Sequence, residues 1–304
     1  MPRVAVQGIE IEFDTFGDPA NPPMLLLMGL GCQMTLWSPE FCQRLADAGF
    51  WVIRYDHRDI GLSTHLTDLG IPKIVRMLAL GRIGVATSAP YTLEDMAGDA
   101  LGLLDHLGVE KAHLVGVSMG GMIAQLLALD APSRTASLCS WMSSTGARRH
   151  ANPRARALRA LLATPPRDRA GRIEHGVRVW RAIGSGGALF DLEHVRHAAA
   201  AGYDRSADTR GAARQLAAIV SAPPRDARLK QLEIPTLVMH GKRDPLIPVA
   251  AGKATAAAIP GARLVLFDEL GHDVPPPLYE RFAEAIVDNA RRAAYRAPTR
   301  RRSA

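Results

Sequence analysis

The chain has 304 residues, 47% of them apolar and 22% charged, with a formal net charge of +7. That length and apolar fraction support a sizeable core, as one large domain or a core carrying an insertion, and exclude general disorder. A spanning helix is excluded as well, because the most apolar stretch, residues 24–30, stops at Gly31, far short of the roughly 20 residues a bilayer requires.

Strand and helix signals alternate from the start. Residues 4–16 read as two short extended pieces around Gly8, and 23–28 as a continuous apolar strand closed by Gly29 and Gly31. A helix over 41–48, stopped by Gly49, leads to a strand over 51–55. Thr92-Leu93-Glu94-Asp95 is a helix start, followed by apolar residues at Met96, Ala100, Leu103, Leu104 and Leu107, and Gly108 ends that helix. A strand over 112–117, a helix over 122–129 and a strand over 136–141 complete the first block.

The alternation then stops. Residues 146–234 contain helical pieces at 155–163, 173–183, 192–201 and 212–220, separated by Pro165-Pro166, a glycine-rich stretch and Pro223-Pro224. Strand–helix alternation resumes with a strand at 236–240, a helix at 250–259, a strand at 263–267 and a helix at 278–290. The expected fold class is α/β: a mainly parallel sheet with helices on both faces and an inserted helical segment. The expected division is a core of 1–145 and 235–290, an insertion of 146–234 and a basic, disordered tail of 291–304.

The charge follows this division. Residues 146–234 hold 17 basic against 8 acidic side chains, and 289–304 hold six arginines and no acid. The rest of the chain is acidic by eight charges. The excess therefore belongs to the insertion and the tail, and neither nucleic acid nor a membrane is expected as a partner. An arginine-rich insertion would favour substrates with an anionic or electron-rich periphery. The N-terminal residues run into Glu10, Glu12 and Asp14 without an apolar core or cleavage site, so no signal peptide is read and a cytoplasmic protein is expected. Cys32, Cys42 and Cys139 are too few and too scattered for a disulfide framework or zinc cluster.

Gly116-Val117-Ser118-Met119-Gly120-Gly121 stands where a strand passes into a helix. A serine there can occupy a strained turn that lifts its hydroxyl clear of the sheet, provided the flanking residues are small. A serine hydroxyl needs a base, and the base an orienting carboxylate. Asp244 and His272 each follow a predicted strand, and the order Ser, Asp, His is that of an α/β-hydrolase. Asp268 is the rival acid, but it lies only four residues before His272 on the same connection.

At these residues the chain resembles the α/β-hydrolase superfamily over essentially its full length. Residues 24–31, 52–64, 116–125 and 235–248 look like the bacterial esterase group that includes aclacinomycin methylesterase. The resemblance implies Ser118 as nucleophile, Asp244 as acid, His272 as base, and an oxyanion hole from the N–H groups of Leu30 and Met119. It further implies that 146–234 form a helical cap. The chain carries Met28-Gly29 where many members carry His-Gly. Asp56-His57-Arg58-Asp59 precedes the serine, the wrong order for a triad acid, and reads as a hydrogen-bonded brace for the oxyanion segment.

Met34, Trp37, Met122, Trp141, Trp180 and Phe190 are candidates for an apolar substrate pocket, but core packing accounts for most of them equally well, and no more than half are expected to line it. His194 and His197 have ligand spacing on a helix but no third partner, so no metal is expected, and no cofactor. Cys32 reads as a small filler. The expected activity is hydrolysis of a small-molecule carboxylic ester through an acyl-enzyme. The same triad also serves perhydrolysis, acyl transfer, and lactone or carbon–carbon cleavage. A ligand receptor with little turnover is the alternative of another class, and a homodimer is compatible with the sequence.

Overall fold

The computed structural model describes residues 1–294 apart from 84 and 151. Short polar-edged strands β1 (Arg3–Val6) and β2 (Ile9–Phe16) form a hairpin, and the apolar run β3 (Pro23–Leu27) follows. Helix α1 (Pro39–Asp47) starts where Ser38 Oγ accepts the Phe41 N–H, and β4 (Trp51–Tyr55) is buried along its whole length. Helix α2 (Ile74–Arg82) comes next. A reciprocal Thr92–Asp95 capping box opens α3 (Leu93–His106). The first block closes with β5 (Ala112–Val117), α4 (Met119–Asp130) and β6 (Thr135–Trp141).

Among the described residues, five helices without an intervening strand then follow: α5 (Ala155–Leu162), α6 (Arg169–Ile183), α7 (Leu192–Arg205), α8 (Gly211–Ser221) and the short α9 (Asp226–Leu229). The chain ends with β7 (Thr236–Gly241), α10 (Val249–Ala258), β8 (Arg263–Phe267) and α11 (Tyr279–Ala294). Helix α11 runs past residue 290, so Arg291 and Arg292 are helical rather than part of a tail, and residues 295–304 lie outside the described residues.

The eight strands form one sheet in the order β1-β2-β4-β3-β5-β6-β7-β8. The β1–β2 and β2–β4 pairs are antiparallel, and the pairs from β4 onward are parallel. Alternate side chains of the central strands feed two separate cores. Leu25 and Leu27 of β3 pack with α3 and α4 on one face, while Met24 and Leu26 pack with α1 and α11 on the other. Leu27 is paired with Gly116, Val117 with Trp141, and Trp141 with Met239. The carboxyl ends of β3, β5, β6 and β7 are thus level, and the loops that follow them share one edge of the sheet, where open α/β folds bind ligands. Among the described residues no helix is long and apolar enough to cross a membrane.

Candidate active site

Ser118 connects β5 directly to α4, with φ 55° and ψ −119°. A non-glycine residue in that region costs on the order of 1–3 kcal/mol, and the surroundings must over-determine it. They do. The Ser118 N–H donates to the Trp141 carbonyl at 2.9 Å, and Ser143 Oγ donates to the Ser118 carbonyl at 2.7 Å. The flanking glycines answer to close approach: a Cβ on Gly116 would lie 2.2 Å from the Gly120 oxygen, and one on Gly120 would lie 2.1 Å from the Leu27 oxygen. Helix α4 therefore begins at Met119, three residues ahead of the helix expected at 122. The low helix propensity of the two glycines is overridden by that packing.

His272, in the loop after β8, bridges the two other residues. Its Nδ1 lies 2.7 Å from Asp244 Oδ2 and its Nε2 3.0 Å from Ser118 Oγ. Asp244 Oδ1 accepts the N–H groups of Leu246 and Ile247, both at 2.8 Å. Burial alone would raise the Asp244 pKa, but the charge of His272 and hydrogen bonds from His240 and His272 hold it well below the usual carboxylate range. An ionised Asp244 keeps the His272 proton on Nδ1, which leaves Nε2 as acceptor for the Ser118 hydroxyl. Asp268, the rival acid, is paired at the surface with Lys242 at 2.6 Å.

The loop after β3 lies against the serine, since a Cβ on Gly29 would be 3.4 Å from Ser118 Cβ. Its Gly31 N–H donates to Gln215 Oε1 at 2.9 Å and its Cys32 N–H to the Gly29 carbonyl at 3.3 Å. The Leu30 N–H donates to no protein group among the described residues. Met119 opens α4, so its N–H has no carbonyl one turn before it.

The Asp56–Asp59 stretch anchors that loop. Asp56 Oδ1 accepts the Met34 N–H at 2.8 Å, and His57 Nε2 donates to the Met28 carbonyl at 3.0 Å. Burial pushes His57 down to about 4, so it is a neutral imidazole whose Nε2 carries the proton. The inserted helices reach the same place. Arg205 pairs with Asp56 at 2.6 Å, Arg214 donates twice to Asp59, and Gln215 Nε2 donates to the Arg58 carbonyl at 2.9 Å. No local sequence signal marks these three residues, because their partners lie more than 145 positions away.

Ser118 and His272 open onto a cavity of about 1020 Å³ between the sheet edge and α2, α5, α6, α7 and α8. Met122, Trp180 and Phe190 line it. Met34, Trp37 and Trp141 do not, and are fully buried instead. Trp37 stacks on Phe41 at 5.7 Å and meets Trp141 at 6.1 Å, filling the core under α1 and α11. An apolar aromatic residue satisfies either environment, so residue type alone did not separate wall from core. Cys32 lies on the cavity wall, its thiol pushed up by burial to about 12. His194 and His197 are exposed, and no group of three potential ligands is placed to hold a metal among the described residues.

Residues 22–275 match the α/β hydrolase fold family. The chain belongs to that family. This hydrolase is 31% identical to the rhodomycin D methylesterase of Streptomyces peucetius, over 96% of this chain and 99% of that protein. It is 32% identical to the rhodomycin D methylesterase of Streptomyces sp. (strain C5), over 91% of this chain and 93% of that protein. Among solved structures, the enol-lactonase from Burkholderia xenovorans LB400 superimposes with a TM-score of 0.72 at 25% identity, covering 95% of this chain and 99% of that one.

Proposed function

We propose that this hydrolase cleaves a carboxylic ester, of methyl ester type, through a Ser118–His272–Asp244 triad and an acyl-enzyme. The observation that carries this reading is the continuous hydrogen-bonded line from Asp244 Oδ2 through His272 to Ser118 Oγ at the floor of the cavity. The methylesterases of similar sequence support the choice of ester.

In this mechanism His272 Nε2 takes the Ser118 proton as Oγ attacks the ester carbonyl. The N–H groups of Leu30 and Met119 hold the oxyanion, each worth on the order of 3 kcal/mol in the transition state. His272 then protonates the departing alcohol, activates a water molecule for the second attack, and the free acid leaves. The helices between β6 and β7 act as a cap that encloses the acyl group. No cofactor takes part in these steps.

The test is labelling with a fluorophosphonate probe together with hydrolysis of an aryl acetate and a panel of methyl esters. Ser118 should be the labelled residue, and Ser118→Ala should abolish labelling and lower kcat on the order of a millionfold. Ester hydrolysis at undiminished rate in Ser118→Ala would overturn the reading.

A further inference from the structure

Part of the positive charge of residues 146–234 is paired where it stands. Arg169 pairs with Asp204 at 2.7 Å, Arg196 with Glu174 at 2.7 Å and Arg210 with Asp208 at 2.6 Å. Two arginines of the segment are fully buried, and their surroundings differ sharply. Arg214 is held by both oxygens of the Asp59 carboxylate. Arg225, only 2% exposed, has no carboxylate within ion-pair distance among the described residues.

Its acceptors are neutral. Nε donates to Gln125 Oε1 at 3.1 Å and Nη2 to the Ser144 carbonyl at 3.0 Å, while Nη1 donates to no protein group among the described residues. Nη1 lies beside Gly146, where a Cβ would stand 3.4 Å away. Gly146 has φ +83°, which favours glycine there, and without a side chain it leaves the guanidinium edge uncovered on that side. Burial pushes Arg225 down to about 10, partly offset by Glu94 and Asp226 acting through space. A buried cation whose direct acceptors are all neutral is incompletely compensated until an anion reaches it. Arg225 and Gly146 both line the cavity that holds Ser118, which is the route by which one can arrive.

We infer that Arg225 is a specificity-determining residue that receives a carboxylate at the end of the substrate remote from the ester, so that half-esters of dicarboxylic acids are preferred over neutral esters. This rests on the reading of Ser118 as nucleophile. Gln125, which holds Arg225, is seven residues beyond Ser118 on α4, a rise of about 10 Å, and the anion and the reacting carbonyl are separated on that scale.

The experiment compares kcat/KM for monomethyl sebacate with that for methyl decanoate, a neutral chain of the same length. The natural enzyme should prefer the half-ester by roughly tenfold to a hundredfold, as a charge-assisted hydrogen bond allows. Arg225→Met should remove the preference. Gln125→Glu, which keeps Arg225 but gives it a carboxylate from inside, should remove it too, and decides the matter if Arg225→Met does not fold. Calorimetric binding of the same two esters to Ser118→Ala reads the anion site without turnover. Half-ester binding at least tenfold tighter, lost on adding Gln125→Glu, supports the site even if no ester is hydrolysed, a result that would count against the esterase reading alone. Hydrolysis of both esters with no preference, or a preference that survives Gln125→Glu, overturns the role of Arg225.

Discussion

Ser185 donates its hydroxyl to the Asp273 carboxylate at 2.6 Å and its N–H to the same carboxylate at 2.8 Å, while its Oγ accepts the Gly271 N–H at 2.8 Å. The His272 N–H between them donates to the Ile183 carbonyl at 2.8 Å. The end of α6 thus grips the histidine loop on both sides of the imidazole. Ser185→Ala should lower kcat by about tenfold to a hundredfold with little change in KM, since a small misplacement of a proton-transfer group costs rate rather than binding. The rate of fluorophosphonate labelling of Ser118 should fall in parallel while the thermal midpoint stays well above the assay temperature, which separates a misplaced imidazole from a loss of folded protein.

Gly120 allows the start of α4 to pass the end of β3. Gly120→Ala forces a methyl group against the Leu27 and Met28 carbonyls, 2.1 and 2.6 Å from the Cβ position. We expect a destabilisation above about 3 kcal/mol, or failure to fold, measured by denaturant unfolding. A neutral result would mean that the turn can relax in a way its contacts do not suggest.

The Arg214–Asp59 pair is almost entirely buried, with oxygen–nitrogen distances of 2.7 and 2.5 Å. Removing one partner leaves the other charged and unpaired, so Arg214→Met or Asp59→Asn should each cost about 3–5 kcal/mol. The double replacement should cost much less than the sum. A double-mutant cycle in urea checks this, and additive losses would contradict it.

Two buried histidines make stability depend on acid pH. Burial pushes both His57 and His113 down to about 4, with Arg58 and Lys111 adding to the effect. An unfolded histidine titrates near about 6.5. Between about pH 6.5 and 4 the unfolded chain binds protons that the folded chain refuses, so stability falls as pH falls through that window, by up to about 3 kcal/mol for each histidine. The low Asp244 pKa acts in the same direction only below the ordinary carboxylate range. Thermal midpoints measured from pH 7.5 downward should show the loss, and His57→Gln, which retains a donor for Met28, should reduce it.

Much of the core was legible because its signals are local. The apolar run of β3, the Thr92 capping box and the Gly-x-Ser-x-Gly turn each declare themselves within a few residues. The contacts of Gln215 with Gly31 and of Arg214 with Asp59 span 184 and 155 positions, and no periodicity encodes them. Helix α2 differs in where its apolar face goes: Val75, Leu78 and Ala79 share one face at i, i+3 and i+4 spacing, but that face lines the cavity, with Val75 75% exposed, instead of packing into a core. Trp37 and Trp141 show the limit of composition: the same ring that would suit a substrate wall closes the core beneath it.

The bonds from α7 and α8 to the loops after β3 and β4 bear on how this protein can be recombined. Gln33 Nε2 donates to the Gly202 carbonyl at 2.7 Å, Arg205 reaches both Gln33 and Asp56, and Arg214 and Gln215 clasp residues 58, 59 and 31. Moved into another scaffold, this helical segment would keep these bonds only if Gln33, Asp56 and Asp59 travelled with it. The inserted helices are therefore not a freely exchangeable cassette: the unit that stays bonded together comprises them and two short loops far upstream.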